Sequence, residues 1–198
     1  MGVLRRYAVA ALLVVGVLGF ASPAQAAPID VNFNNVTGST FLAKPKTTVE
    51  VPKSSITTKV DLDAGTLTGQ VNIPNLTAHL NLLSLLNVTS IVKIVPVGDL
   101  TGTIDLGASK LSTTTRFTLQ ILDVHLNATP QINLVSSTCR TITPTTLTLT
   151  NTTPVDIFNG TTVTGSYTIP PFTRCGLLTP LLTLLLSGPG NTMTLVLK

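Results

Sequence analysis

Aromatic and charged residues are scarce in this chain. Phe, Trp and Tyr together make up 4% of the 198 residues, Trp is absent, and Asp, Glu, Lys and Arg supply only 10%. Nucleic-acid binders cluster Lys and Arg against phosphates, and those that bind single strands also stack bases on aromatic side chains. The sequence has neither feature, and we therefore predict no nucleic-acid partner.

Residues that carry catalysis or bind metals are equally few. His79 and His125 are the only histidines, no His pair has metal-ligand spacing, and no Gly-x-Ser-x-Gly motif occurs. We predict no catalytic residue, no metal and no cofactor. One alternative stays open: Asp123 and His125 would share one face of a strand, where a nearby serine would complete a hydrolase triad. Calcium is weakly supported, because Asp61 and Asp63 fit a turn better than a cation site.

The N-terminal segment predicts export. Arg5 and Arg6 precede an apolar stretch from Ala8 to Phe20, and Ala24-Gln25-Ala26 offers small residues for cleavage. The stretch is shorter than the roughly 20 residues that cross a bilayer. We predict a signal peptide over residues 1–26 and a single secreted domain over 27–198, with cell-wall association left open. The whole chain carries 12 basic and 8 acidic residues, so losing the two arginines leaves a formal charge of +2.

A second apolar run, Leu177 to Leu186, lies near the C-terminus. It is too short to span a membrane, Pro180 interrupts it, and a Gly-Pro-Gly turn follows. We therefore predict no transmembrane span after signal removal.

The two cysteines, Cys139 and Cys175, would meet oxidising conditions in an exported chain. We predict that they form a disulfide. Closing that loop would remove chain entropy worth roughly 4 kcal/mol from the unfolded state.

Short stretches that alternate β-branched with other residues dominate the chain, among them "TLTGQVNI", "TTTRFTLQI" and "TLTLTN". This period of two indicates half-buried strands, and the Gly, Asn, Asp and Pro residues between them mark turns. The clearest hairpin turns at Asp63-Ala64-Gly65. We predict an all-β fold, an antiparallel β-sandwich or barrel of about 10 strands.

Two Leu-rich segments interrupt the alternation, Leu80 to Leu86 and Leu177 to Leu186. Leu favours helices, so both are predicted to be short helical caps. Each follows a Thr-Gly-x-x-x-Ile-Pro sequence, at residues 68–74 and 164–170. The correspondence suggests two loosely repeated halves, about 47–110 and 140–198.

The caps plug the β-structure as plain core, cover an apolar cavity that binds a hydrophobic small molecule or lipid, or contact a partner or a membrane surface. In the second case eight leucines would line the cavity: Leu82, Leu83, Leu85, Leu86, Leu178, Leu181, Leu182 and Leu185. We predict a non-catalytic, apolar-ligand-binding protein, with a structural or adhesive envelope component as the alternative and a hydrolase as a distant third. The oligomeric state is not predicted.

Several longer motifs support a resemblance. These are "PVGDLTGTIDLG", Ile169-Pro170-Pro171, Cys175-Gly176-Leu177-Leu178-Thr179 and Gly188-Pro189-Gly190-Asn191-Thr192. In their order along the chain they resemble secreted β-rich proteins of high-GC Gram-positive bacteria that have no known activity. The resemblance implies export, a disulfide and a β-rich fold, and it assigns no catalytic residue.

Overall fold

The computed structural model describes residues 27–82, 86–156 and 159–198, so the predicted signal peptide lies outside the described residues. Within these ranges the chain forms twelve strands, a 3-10 helix (Gly176–Leu178) and one α-helix, α1 (Thr179–Leu186). The strands are β1 (Ile29–Leu42), β2 (Thr47–Asp61), β3 (Thr66–Asn72), β4 (Leu76–Leu82), β5 (Leu86–Pro96), β6 (Leu100–Asp105), β7 (Lys110–Leu126), β8 (Arg140–Thr141), β9 (Thr145–Asn151), β10 (Thr161–Ile169), β11 (Phe172–Thr173) and β12 (Gly188–Leu197).

In the described part of the chain, eight strands close into an antiparallel barrel. Their order around the wall is β1, β2, β3, β6, β7, β9, β10, β12 and back to β1. Each barrel strand therefore neighbours the next barrel strand along the chain, which is an up-and-down arrangement. The all-β antiparallel prediction is confirmed, and the choice between sandwich and barrel is decided in favour of the barrel.

The remaining strands are insertions, and all of them lie at one end of the barrel. The β4–β5 hairpin follows β3, β8 follows β7, and β11 with both helices follows β10. Because successive barrel strands alternate in direction, the ends of β3, β7 and β10 all lie beside the β1–β2 turn. We call this the covered end. The opposite end, where the β2–β3, β6–β7 and β9–β10 connections lie, is the hairpin end.

The alternating sequence pattern places apolar side chains inside the wall. In β9, Leu147 and Leu149 are buried while Thr146, Thr148 and Thr150 are exposed. A period of two sends successive side chains to opposite faces, so Thr covers the outside and Leu fills the inside. The same pattern recurs in the last strand, β12.

Two hairpins at the hairpin end share one turn chemistry. The Ala64 N–H donates to Asp61 Oδ1 over 2.9 Å, and the Ala108 N–H donates to Asp105 Oδ1 over 2.8 Å. An Asp side chain that accepts from a nearby backbone N–H stabilises a turn. The hairpin predicted at Asp63-Ala64-Gly65 is confirmed, and Gly65 supplies its positive φ of 63°.

The Leu-rich segments fold differently from each other. Leu177 to Leu186 forms the 3-10 helix and α1, so the helical prediction is confirmed there. The helical prediction for Leu80 to Leu86 is wrong, because β4 continues to Leu82 and β5 begins at Leu86, with residues 83–85 outside the described ranges. Pairing of β4 with β5, and of β5 with β7, outweighs the helical preference of Leu.

Both Thr-Gly-x-x-x-Ile-Pro segments run along strands that end at the covered end. Gly69 lies in β3 and Gly165 in β10, and each takes an inward position. A Cβ on either glycine would collide with a carbonyl oxygen of the neighbouring strand, that of Thr57 or Thr148. Glycine at such points lets a barrel strand bend closely against its neighbour. The two halves, 47–110 and 140–198, stay a prediction.

The predicted disulfide between Cys139 and Cys175 is confirmed. Cys139 directly precedes β8 and Cys175 follows β11, and both residues are fully buried. The bond therefore ties two of the covered-end insertions together. None of the described helices is long and apolar enough to cross a membrane.

Candidate functional site

The barrel interior contains three apolar cavities. Their volumes are about 40, 30 and 60 Å³, counted as the space open to the centre of a water-sized sphere. Each exceeds the roughly 10–15 Å³ that one water needs. Their walls are almost wholly hydrocarbon, and such cavities stay free of water because it would find few hydrogen-bond partners there.

The three cavities follow one another along the barrel. We call the cavity of about 40 Å³ the lower one, that of about 30 Å³ the middle one and that of about 60 Å³ the upper one. The lower and middle cavities share Ile56, Leu100 and Leu149 in their walls. The middle and upper cavities share Ile94, Phe117 and Met193. The cavities are therefore separate spaces, and side chains that line two neighbouring cavities divide one from the next. We call this row of three cavities the channel.

The channel runs most of the length of the wall. In β1, Val31 lines the lower cavity and Leu42 lines the upper one. At about 3.3 Å per residue and a barrel tilt of about 40°, these positions are on the order of 25–30 Å apart along the axis. The interior is thus long and narrow.

A small polar group lies beside the upper cavity. The Tyr167 hydroxyl and Thr40 Oγ1 form a 2.7 Å hydrogen bond, and Thr40 Oγ1 also donates to the Thr192 carbonyl over 2.9 Å. Since the Thr40 proton goes to that carbonyl, Tyr167 is the donor to Thr40. Both hydroxyls are satisfied within the protein, so they impose no polar requirement on the channel.

Burial raises the pKa of the Tyr167 phenol above its ordinary value of 10.0, and the hydrogen bond with Thr40 acts in the opposite direction. Removal from water penalises the phenolate more than the neutral phenol. Tyr167 therefore stays neutral in the interior.

Asn191 joins the barrel rim to the covered end. Its Nδ2 donates to the carbonyls of Gly188 at 2.8 Å and Tyr167 at 3.3 Å, and its Oδ1 accepts from the Ala43 N–H at 3.1 Å. The side chain is fully buried. It thereby fixes the β1–β2 turn against the start of β12 beside the cover.

The cover of the channel consists of β8, β11, the 3-10 helix and α1. Phe172 and Leu186 project from it into the wall of the upper cavity. The Thr183 hydroxyl accepts from the Phe172 N–H over 3.0 Å, and the Ser187 hydroxyl donates to the Pro170 carbonyl over 2.9 Å. These bonds, with the disulfide, attach α1 to the barrel end.

The eight leucines predicted to line a cavity have different locations. Leu182 is buried, Leu181 is half-buried, and Leu178 and Leu185 are half-buried against the core. Leu83 and Leu85 lie outside the described residues, as do the side chains of Leu82 and Leu86. None of the four described leucine side chains lines the three cavities, and from this segment Leu186 does.

The residues that line the three cavities differ from the four described leucines, which were predicted from a local concentration of leucine. That any of the eight leucines contacts a ligand stays a prediction. The walls come mainly from inward Val, Ile and Leu positions spread over all eight barrel strands. The alternation that predicted the strands already marks these positions, for example Leu147 and Leu149 in "TLTLTN". Which face points inward becomes evident only once the strands are paired.

Asp123 and His125 do share one face of β7, and His125 Nδ1 contacts Asp123 Oδ2. Neither residue lines any of the three channel cavities. On the neighbouring strands, His79 Nδ1 lies 3.0 Å from Thr89 Oγ1, and that hydroxyl donates to Asn127 Oδ1. Among the described residues, no group of three or more His, Cys, Asp or Glu side chains is placed to hold a metal ion.

Comparison of the chain with protein-family models, with curated proteins and with solved structures gave no match.

Proposed function

We propose that this protein binds one slender apolar molecule, such as a single lipid chain, inside the barrel. The observation that carries the proposal is the row of three apolar cavities, in which side chains that line two neighbouring cavities divide one from the next. A site for an apolar ligand is a concave, largely hydrocarbon space, and removing ligand surface from water stabilises the complex by about 25 cal/mol per Å². The length of the channel favours an extended ligand over a compact one.

Entry of such a chain requires the separating side chains to move. Met193 lies between the middle and upper cavities and is unbranched, so it can change rotamer at low cost. Leu149 lies between the lower and middle cavities. These two residues are where the channel would open for a continuous ligand.

The proposal includes export and a non-catalytic role. The disulfide supports an oxidising compartment, because disulfides persist mainly in exported proteins. The described residues that line the channel are mostly aliphatic or aromatic, and this lining suits an apolar ligand. The Asp123–His125 pair keeps the hydrolase as a distant alternative.

The test uses cis-parinaric acid, a linear fluorescent fatty acid, with the intact exported protein. We expect binding to wild type, and Leu149→Phe should weaken it roughly tenfold or more by filling the channel, equivalent to about 1.4 kcal/mol. The matched control is Thr150→Val, which changes an exposed position on the same strand and should bind as wild type does. Native mass spectrometry of the exported protein should also detect a retained lipid.

A structural envelope component without a ligand is favoured by one observation. Each cavity is well below the roughly 150 Å³ of a cavity that holds benzene. If wild type binds no probe, retains no lipid and responds to Leu149→Phe only with lower stability, this second function replaces the first.

A further inference from the structure

The covered end exposes apolar side chains that nothing in the fold uses. Leu177 is 98% exposed and Leu184 is 67% exposed, although the buried side of the same segment packs against the barrel. The two are seven positions apart, which is about two helical turns and places them on one side. Ile142, at 60% exposed, lies nearby, because its N–H donates to the Pro171 carbonyl next to β11.

Basic residues lie at the same end of the barrel. Lys44 Nζ donates to the Leu184 carbonyl over 2.8 Å, and Lys46 lies in the same β1–β2 turn. Arg140 pairs with Thr173 between β8 and β11, and Arg174 follows directly. The four cations therefore share the end of the barrel that exposes the leucines.

Acidic residues are fewer than cations at this end. Asp123, near the end of β7, contacts His125, and Glu50, near the start of β2, pairs with Ser39. The hairpin end carries five aspartates, Asp30, Asp61, Asp63, Asp105 and Asp156, and three lysines, Lys59, Lys110 and Lys198, of which Lys59 lies 3.6 Å from Asp30. Cations therefore outnumber acidic side chains at the covered end, whereas aspartates outnumber lysines at the hairpin end.

We propose that the covered end docks onto the surface of an anionic phospholipid bilayer. Leu177 and Leu184 would enter the interfacial region, and Lys44, Lys46, Arg140 and Arg174 would contact the headgroups. Exposed leucines flanked by Lys and Arg are the composition of interfacial membrane anchors, and each basic residue near an anionic surface adds attraction. Docking at this end would place the cover of the channel against the lipid.

The charge pattern selects the bilayer over other occupants. A symmetric contact between two copies would place the same four cations against one another, which like-charge repulsion disfavours. A protein partner would sit on a patch whose centre is poor in Lys, whereas Lys44 lies directly against Leu184 here.

The test is co-sedimentation of the full protein, without any channel probe, with vesicles of phosphatidylcholine alone or mixed with phosphatidylglycerol. We expect binding to the mixed vesicles only, and weaker binding at higher salt. The pair Leu177→Ser and Leu184→Ser should abolish it. Arg140→Gln and Lys46→Gln should each weaken it roughly fivefold.

Matched controls come from the hairpin end. Leu62 and Leu106 are each 45% exposed beside aspartates, so Leu62→Ser with Leu106→Ser should leave vesicle binding unchanged, as should Lys110→Gln. All these positions are exposed, and their melting temperatures should match wild type. Absence of binding to anionic vesicles, equal losses from both leucine pairs, or a solution dimer removed by the Leu177 and Leu184 changes would overturn the proposal. Probe uptake measured without vesicles separates this result from ligand binding in the channel.

Discussion

The hydroxyl groups of Thr40 and Tyr167 lie 2.7 Å apart inside the barrel, although the residues are 127 positions apart in the sequence. Thr40 lies on β1 and Tyr167 on β10, and β12 runs between these strands. The bond therefore crosses the strand that closes the wall, and it couples that closure to the polar group at the upper cavity.

Removing the Thr40 hydroxyl should destabilise the fold more than removing the Tyr167 hydroxyl. Tyr167→Phe leaves Thr40 with its Thr192 acceptor, and we expect a loss of about 1 kcal/mol in the free energy of unfolding. Thr40→Val leaves both the Tyr167 hydroxyl and the Thr192 carbonyl without this partner, and should cost about 1–3 kcal/mol. Urea unfolding of both single variants and the double variant measures the coupling, and additive losses would contradict the assigned bond.

The free energy of unfolding should fall at alkaline pH because Tyr167 titrates there. The pKa of Tyr167 is raised in the folded state, so the unfolded chain loses its phenolic proton first as the pH rises. The contribution of the neutral Tyr167 phenol to the free energy of unfolding is complete below about pH 10. It is lost as the pH rises through the raised pKa of Tyr167 in the folded state. Unfolding free energies from about pH 9 to about pH 11 should decline more steeply for wild type than for Tyr167→Phe.

Tyr167 is the only tyrosine outside residues 1–26, so in protein that lacks those residues the tyrosinate absorbance reports this group alone. Titrating groups that wild type and Tyr167→Phe have in common cancel in the comparison. Parallel alkaline declines in the two proteins would show that Tyr167 does not contribute.

Loss of the disulfide should weaken the whole domain and leave the wall strands able to pair. The bond joins residues 36 positions apart, and opening it should cost about 4 kcal/mol from loop-closure entropy. Urea unfolding of Cys139→Ser/Cys175→Ser against wild type measures the loss. Alkylation of native, unreduced protein should modify no thiol, and modification of both cysteines would contradict the pairing.

The inward glycines should resist substitution. Gly69→Ala and Gly165→Ala force a Cβ against the Thr57 or Thr148 carbonyl, and each should cost about 1–3 kcal/mol because backbone must shift. Gly107→Ala is the matched control, since its Cβ would meet only the Asp105 side chain at ordinary contact distance. We expect this change to be neutral or slightly stabilising. Thermal unfolding of the three variants measures the stability changes. Equal changes in melting temperature for all three would contradict a close approach of the neighbouring strands at Gly69 and Gly165.

Local sequence patterns predicted the local structure well. The alternation in "TLTLTN" became β9, the Asp61 turn formed, and the two cysteines paired. The strand and the turn depend on residues near one another in the sequence, and the disulfide prediction needed only a count of two cysteines and an expected oxidising compartment. The helix predicted at Leu80 to Leu86 failed because its neighbours in space, β5 and β7, decide that segment.

The lining of the barrel cavities was harder to predict. A channel lined by Leu100, Leu149 and Met193 requires strands from distant parts of the sequence to be placed side by side, and no single segment contains that information. The Leu-rich segments were predicted to line a cavity because a concentration of leucine can be read from a short stretch of sequence. In the structure, Leu177 to Leu186 forms part of the cover, and the residues that line the three cavities come from all eight barrel strands.

The pairing of β12 with both β1 and β10 makes the last described strand the seam of the barrel. Thr37 faces Val196 on one side of β12, and Val163 faces Leu195 on the other. A chain that stops before Gly188 would therefore open the wall along its full height and leave two unpaired strand edges, which invite aggregation. Since β12 is synthesised after the other eleven described strands, β1 has no partner on that side, and the barrel wall stays open, until β12 has been made.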